Sequence, residues 1–130
     1  MSSSANPSVL ILDRDSIHRQ RLENALREHA YQVSSEADGR AGLYHIDQRP
    51  PTLLISALEL EHVDGLSLVG ALQTRPETQA VKVIFMSAQD DRETMLQALQ
   101  LGAKFFLPKA ASLDEVLEKV ERALREEREE

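Results

Sequence analysis

The stretch VLILDRD, residues 9–15, runs four consecutive apolar side chains into three charged ones. Four apolar residues without alternation suit a strand covered on both faces, and the change to Asp13, Arg14 and Asp15 marks the turn that leaves it. From there Ile17, Leu22, Ala25 and Leu26 recur at near-helical spacing through Glu28, so the first unit reads as strand, charged turn and helix.

Working outward, the same unit repeats. Tyr31 to Ser35 reads as a weak second strand, and Asp38-Gly39 opens a helix carrying Ala41, Leu43, Tyr44 and Ile46 until Pro50-Pro51 stops it. Leu53 to Leu58 is a third apolar strand, followed by a loop with an Asp64-Gly65 turn, a helix through Leu66, Leu68, Val69 and Leu72, and a polar break at residues 75–78. Val81 to Met86 is strand four. Asp90 and Asp91 supply cap and dipole partners for a helix with Met95, Leu96, Ala98 and Leu99, which ends at Gly102, a left-handed C-cap position. Phe105 to Leu107 is strand five, and Leu113, Val116, Leu117, Val120 and Leu124 mark one face of a last helix capped by Ser112.

Five apolar strands alternating with five amphipathic helices imply βαβ crossovers and a doubly wound α/β domain with helices on both faces of a parallel sheet. The expected organisation is a disordered leader over 1–7, one domain over 8–124, and a charged helix end or linker over 125–130. Ligands of such sheets sit at the carboxyl ends of the strands, which singles out Asp13, Arg14, Ala57, Glu59, Ser87 and Lys109.

Composition narrows the chemistry. Apolar residues make up 42% of the 130 but aromatics only 4%, so the core is built from Leu, Val, Ile and Ala. The absence of Cys excludes disulfides and thiolate chemistry, and the opening MSSSANPSV lacks a secretory pattern, so a cytoplasmic protein is expected. No apolar run approaches the roughly 20 residues that span a bilayer, so no membrane partner is expected. A net charge of -7 argues against direct contact with nucleic acid, which needs a clustered basic surface. His18, His29, His45 and His62 fit no metal-ligand spacing and read as surface residues.

The order and spacing of VLILDRD, PTLLISALEL (51–60), VDG (63–65), VIFMSA (83–88) and GAKFFLPK (102–109) resemble the response-regulator receiver family, CheY-like domains, over nearly the whole chain. The resemblance implies a flavodoxin-like (βα)5 fold with strand order 2-1-3-4-5. It also implies an acidic pocket for Mg²⁺ and a phosphoryl-accepting aspartate at the end of strand three. Here Ala57 holds that place. The family sets two adjacent acids after strand one, the second a direct metal ligand; this chain has Asp13 and then Arg14. Ser87 matches the switch hydroxyl, Lys109 the phosphate-pairing lysine and Phe106 the switch aromatic.

These departures change the expected chemistry. A methyl group has no nucleophilic oxygen, so no acyl phosphate forms at Ala57. Asp13 and Glu59 against Arg14 and Lys109 leave the pocket formally neutral, so neither a specific Mg²⁺ site nor any other cofactor is expected. Without phosphate, Lys109 is expected to pair with Asp13, and Arg14 with Asp15 or Glu59. The family proline after the lysine is Ala110, and a cis bond to a non-proline residue costs about 3 to 4 kcal/mol, so Lys109-Ala110 is expected to be trans. Arg14, Ala110 and Glu61, where proline is usual, favour natural degeneracy over a single replacement at Ala57.

The reading is a pseudo-receiver, a phosphorylation-independent interaction or regulatory module in two-component-type signalling and not an enzyme. Its expected partners are proteins: a signalling kinase, an effector or an adaptor, or a second copy forming a homodimer. The face made by helix four, strand five and helix five, with Met95, Leu99, Lys104, Phe105 and Phe106, is the candidate surface. The alternative is a conventional phosphotransfer receiver with its acceptor replaced by Ala57. A sensor or enzyme on the same strand ends is weaker, because neither a Gly-rich phosphate loop nor a nucleophile-base pair is present. Taken singly, each residue has a plain structural explanation: Asp13 to Asp15 as a capped turn, Phe105 and Phe106 as core, and the Arg/Glu tail as solvated helix.

Overall fold

In a computed structural model, residues 6–88 and 92–128 are described, with the side chains of 126–128 left aside. The chain alternates strand and helix throughout: β1 (Ser8–Leu12), α1 (Ser16–Glu28), β2 (Gln32–Glu36), α2 (Gly39–Gln48), β3 (Leu53–Ala57), α3 (Gly65–Gln73), β4 (Lys82–Ser87), α4 (Arg92–Gln100), β5 (Phe105–Pro108) and α5 (Leu113–Arg128). All pairings are parallel and the strand order is β2-β1-β3-β4-β5. The expected fold is therefore the observed one, with strand bounds within a residue or two of those read from the sequence.

The period-two geometry of the strands divides the core in two. Leu10, Leu12, Leu54 and Phe85 face α2, α3 and α4, where they meet Ile46, Leu68, Leu72 and Ala98. Val9, Ile11, Leu53, Ile55, Ile84 and Met86 face α1 and α5, where they meet Leu22, Leu26, Val116 and Val120. Because β1, β3 and β4 are covered on both sides, their apolar runs do not alternate with polar residues, which is why VLIL could be read as a buried strand.

The helix ends follow local chemistry. Asp15, Asp38 and Asp64 each cap a helix by accepting backbone N–H bonds, and Ser112 Oγ accepts from Glu115 N at 3.1 Å to cap α5. Asp64-Gly65, expected as a turn within a loop, is instead the start of α3. Gly65 is required there by close approach, since a Cβ would lie 2.5 Å from the Ala57 carbonyl oxygen. At the end of α4, Gly102 has φ +105°, with Gly102 N–H bonded to Leu99 O and Ala103 N–H to Ala98 O, the two bonds of a Schellman motif. α1 closes the same way around Ala30 at φ 70°, which the sequence did not announce. Asp90 and Asp91, expected to cap α4, lie outside the described residues, as does most of the expected leader. The expected charged end at 125–130 continues α5 as far as Arg128. No described helix is long and apolar enough to cross a membrane.

Candidate functional site

The carboxyl ends of β1, β3, β4 and β5 converge on one small pocket of about 140 Å³. All six residues singled out at the strand ends, Asp13, Arg14, Ala57, Glu59, Ser87 and Lys109, line it. Each arrives there because its strand stops at the same level: Asp13 one residue past β1, Ala57 as the last residue of β3, Ser87 as the last of β4, and Lys109 just past β5.

Asp13 is the buried acid, with 5% of its surface exposed. Its Oδ1 accepts from the Asp15 backbone N–H at 2.9 Å, and its Oδ2 lies 2.6 Å from His18 Nδ1. Arg19 also donates to the Asp13 carbonyl at 2.7 Å. Burial of an ionised carboxylate is costly unless such partners are supplied, and here α1 and its entry turn supply them.

Asp15 serves two structures at once. Its Oδ1 accepts from Ile17 N and His18 N, starting α1, while its Oδ2 receives Lys109 Nζ at 2.7 Å across 94 residues of sequence. The Lys109 hydrogen bond, helped by that of the His18 backbone N–H, lowers the Asp15 carboxyl from 3.8 to about 2. The same bond raises the Lys109 ammonium above its ordinary value, with the charges of Asp13 and Asp15 adding to it and Arg14 opposing.

One expected pairing is therefore corrected. Lys109 pairs with Asp15 and not with Asp13, whose oxygens meet donors nearer in the sequence, the Asp15 backbone N–H and the His18 ring. Asp15, one of the two partners expected for Arg14, is held instead by Lys109 and by the helix cap; Arg14 is exposed on the pocket wall, which Glu59, the other, also lines. Lys109 N–H donates to Ser87 O at 2.8 Å, which ties the ends of β4 and β5 together. The Lys109-Ala110 bond is trans, as expected, since no cis peptide occurs among the described residues.

The family's Mg²⁺ does not fit this pocket. A hard divalent cation needs several oxygen ligands, whereas Ala57 offers a methyl and Arg14 a guanidinium, and the two carboxylates on the lining, Asp13 and Glu59, are matched in charge by Arg14 and Lys109.

His18 is the site residue the sequence missed. Its spacing predicts a surface histidine, yet its side chain is 13% exposed and meets Asp13 directly. The available signal was its position three residues after the Asp15 cap, where the first turn of α1 folds back over the end of β1. Beside the pocket, a shallow groove of about 440 Å³ runs along α1 past Ile17, His18, Arg21, Lys109 and Ala110, with Ile17 exposed at its edge.

The candidate interaction face is less uniform than expected. Phe105 and Phe106 point to opposite sides of the sheet, Phe105 joining the α1/α5 core and Phe106 the α3/α4 side. Phe105 is half-buried beneath Lys119 and Arg122, whose charged groups lie 5.8 and 5.4 Å from its ring centre. Leu99 and Lys104 are exposed and Met95 is half-buried, and exposed Leu96 belongs with them.

Comparison with known proteins places this geometry. The family model described as the response regulator receiver domain matches residues 9–121. A relative described as a chemotaxis protein CheY in Rhizobium etli is 31% identical over 122 residues, covering 93% of this chain and 95% of that protein. The DNA-binding transcriptional regulator NtrC of Salmonella typhimurium is 32% identical over 116 residues, 89% of this chain but only 24% of that protein. Among solved structures, the receiver domain of Francisella response regulator 1452 aligns at TM-score 0.85 with 26% identity, over 93% of this chain and 98% of its own. A CheY-like receiver domain protein from Methanospirillum hungatei JF-1 has the same fold at TM-score 0.89 with 22% identity, over 95% of this chain and 98% of its own.

Proposed function

Because the chain belongs to the response regulator receiver family, we propose that it is a receiver retired from phosphoryl transfer, acting in two-component-type signalling as a phosphorylation-independent protein-interaction or regulatory module. The observation that carries this reading is Ala57 at the carboxyl end of β3, on the floor of the pocket where Asp13, Ser87 and Lys109 meet. Forming an acyl phosphate requires a carboxylate oxygen to attack phosphorus in line while the donor's leaving group departs. The Ala57 methyl has no lone pair to begin that step.

In a working receiver, phosphate biases two conformations that already exist. Here the bias comes from within: Lys109 is held by Asp15, and the β5–α5 loop is fixed to β4 through the Ser87 carbonyl. Output then depends on what docks. Protein partners, whether a kinase, an effector, an adaptor or a second copy of this chain, would use the α4–β5–α5 face, where Leu96 and Leu99 are the exposed apolar side chains. The DNA-binding activity in the name of the longer relative belongs to a protein of which this chain matches a quarter.

One arrangement favours the alternative of a conventional receiver disabled only at its acceptor: Ser87 and Lys109 stand at the strand ends where the family uses them. Titration with Mg²⁺ and beryllofluoride, an acyl-phosphate mimic, separates the two. Neither the chain nor Ala57→Asp should show saturable shifts of the Ser87, Phe106 and Lys109 amides. A response by Ala57→Asp alone would establish the disabled-switch reading instead.

A further inference from the structure

We infer that His18 is a positioning residue that replaces a metal ion as the partner of Asp13, closing the pocket to divalent cations from the α1 side. This rests on the reading of the pocket as retired from phosphoryl transfer, and it names a third lock besides Arg14 and Ala57.

A buried carboxylate must be compensated by something. In this pocket the compensation is made from the chain's own donors: the Asp15 backbone N–H on Oδ1 and the His18 ring on Oδ2. The His18 contact, at 2.6 Å, is shorter than the ordinary N–H to O distance of about 2.9 Å, as charge-assisted bonds are. The helix turn that carries the ring is held in place: the His18 backbone N–H donates to Asp15 Oδ1 at 3.2 Å, and Asp15 is itself fastened by Lys109. The series Lys109, Asp15, His18, Asp13 thus ties the β5–α5 loop to the one buried acid of the pocket. A cation seeking Asp13 would have to compete for its oxygens with a largely buried imidazole, 13% exposed, that has this carboxylate as its acceptor.

A carboxylate only accepts hydrogen bonds, so His18 must carry a proton on Nδ1. That is the first test, made on the chain as it is: a ¹⁵N spectrum of the imidazole nitrogens should show Nδ1 protonated at neutral pH. A neutral ring protonated only on Nε2 would overturn the inference. The second test restores both acids with Arg14→Asp/Ala57→Asp and measures Mg²⁺ affinity from amide shifts, with His18 intact and with His18→Ala. Removing the ring should tighten Mg²⁺ binding about tenfold, the scale on which groups around a metal ligand act. Equal affinity would refute the role of His18. If His18→Ala loses the dispersed amide spectrum of a folded chain, His18→Gln, which keeps the helix and removes the ring, carries the same expectation and the same refutation. The two readings fail separately: an Mg²⁺-dependent beryllofluoride response from Ala57→Asp alone would sink the retired-receiver reading, whereas equal Mg²⁺ affinity with and without the ring would sink only the inference about His18.

Discussion

The two walls of the pocket carry opposite chemistry in their side chains. On the β1 wall, Asp13 is buried and every oxygen of its carboxylate has a partner. On the β3 wall, Ala57 presents a methyl, and its backbone stays in register with Met86 of β4 as any strand residue would. Two or three residues deeper the walls are alike, with Leu10, Ile11, Leu54 and Ile55 all buried to within 1%. The difference lies in burial. A half-buried methyl at a strand end asks nothing of its neighbours, whereas an enclosed carboxylate has to be kept with its partners or removed together with them.

The comparison can be broken at four depths. Beneath the pocket, Leu54→Ala should cost about 2–5 kcal/mol in chemical denaturation, since it empties a site enclosed by two layers. On the β1 wall, His18→Leu leaves Asp13 short of one partner and should cost about 1–3 kcal/mol. A loss much below that would mean Asp13 is compensated from elsewhere. On the β3 wall, Ala57→Asp should change stability by about 1 kcal/mol or less, because the position is half-buried and Arg14 and Lys109 stand beside it. A large loss there would contradict the contrast between the walls.

The smallest effect lies at the exposed rim. Asp15 titrates at about 2 in place of 3.8, so its pairing with Lys109 stabilises the fold in full above 3.8 and is lost as pH falls through about 2. Lys109 is raised above 10.5, so its contribution is complete below that value and disappears as pH climbs past the folded-state value. In denaturation profiles, Lys109→Met should flatten both limbs, and added salt should do so in part, because both side chains are more than a third exposed. An acid limb that survives Lys109→Met belongs to other carboxylates.

Much of this was legible in the sequence. The fold followed from apolar runs such as VLIL, whose lack of alternation is forced by helices on both faces of the sheet. The pocket was legible because strand ends gather, whatever their residues, and all six candidates did meet. The polar network was not, for a reason visible at Asp13. The pairing first expected, with Lys109, weighs charge alone, whereas the donors two and five residues away were already in reach once α1 turned. His18 was passed over because a single histidine matches no metal spacing, although its place in the first turn after an Asp cap was the informative feature. Phe105 and Phe106 were grouped by adjacency in sequence, and the period of a strand sends such neighbours to opposite faces.

The bond between Lys109 and Asp15 joins places 94 residues apart. A contact of such long range carries the entropy of joining distant ends, which is charged before the contact returns anything. The cap that opens α1 is local, made by Asp15 Oδ1, but Asp15 Oδ2 meets Lys109 only with the residues that follow β5 in place. A chain clipped between β4 and β5 would lose the largest cause of the lowered Asp15 pKa and leave that carboxyl titrating above about 2, so the acidity of one carboxyl near the start of the chain becomes a gauge of whether its far end has arrived.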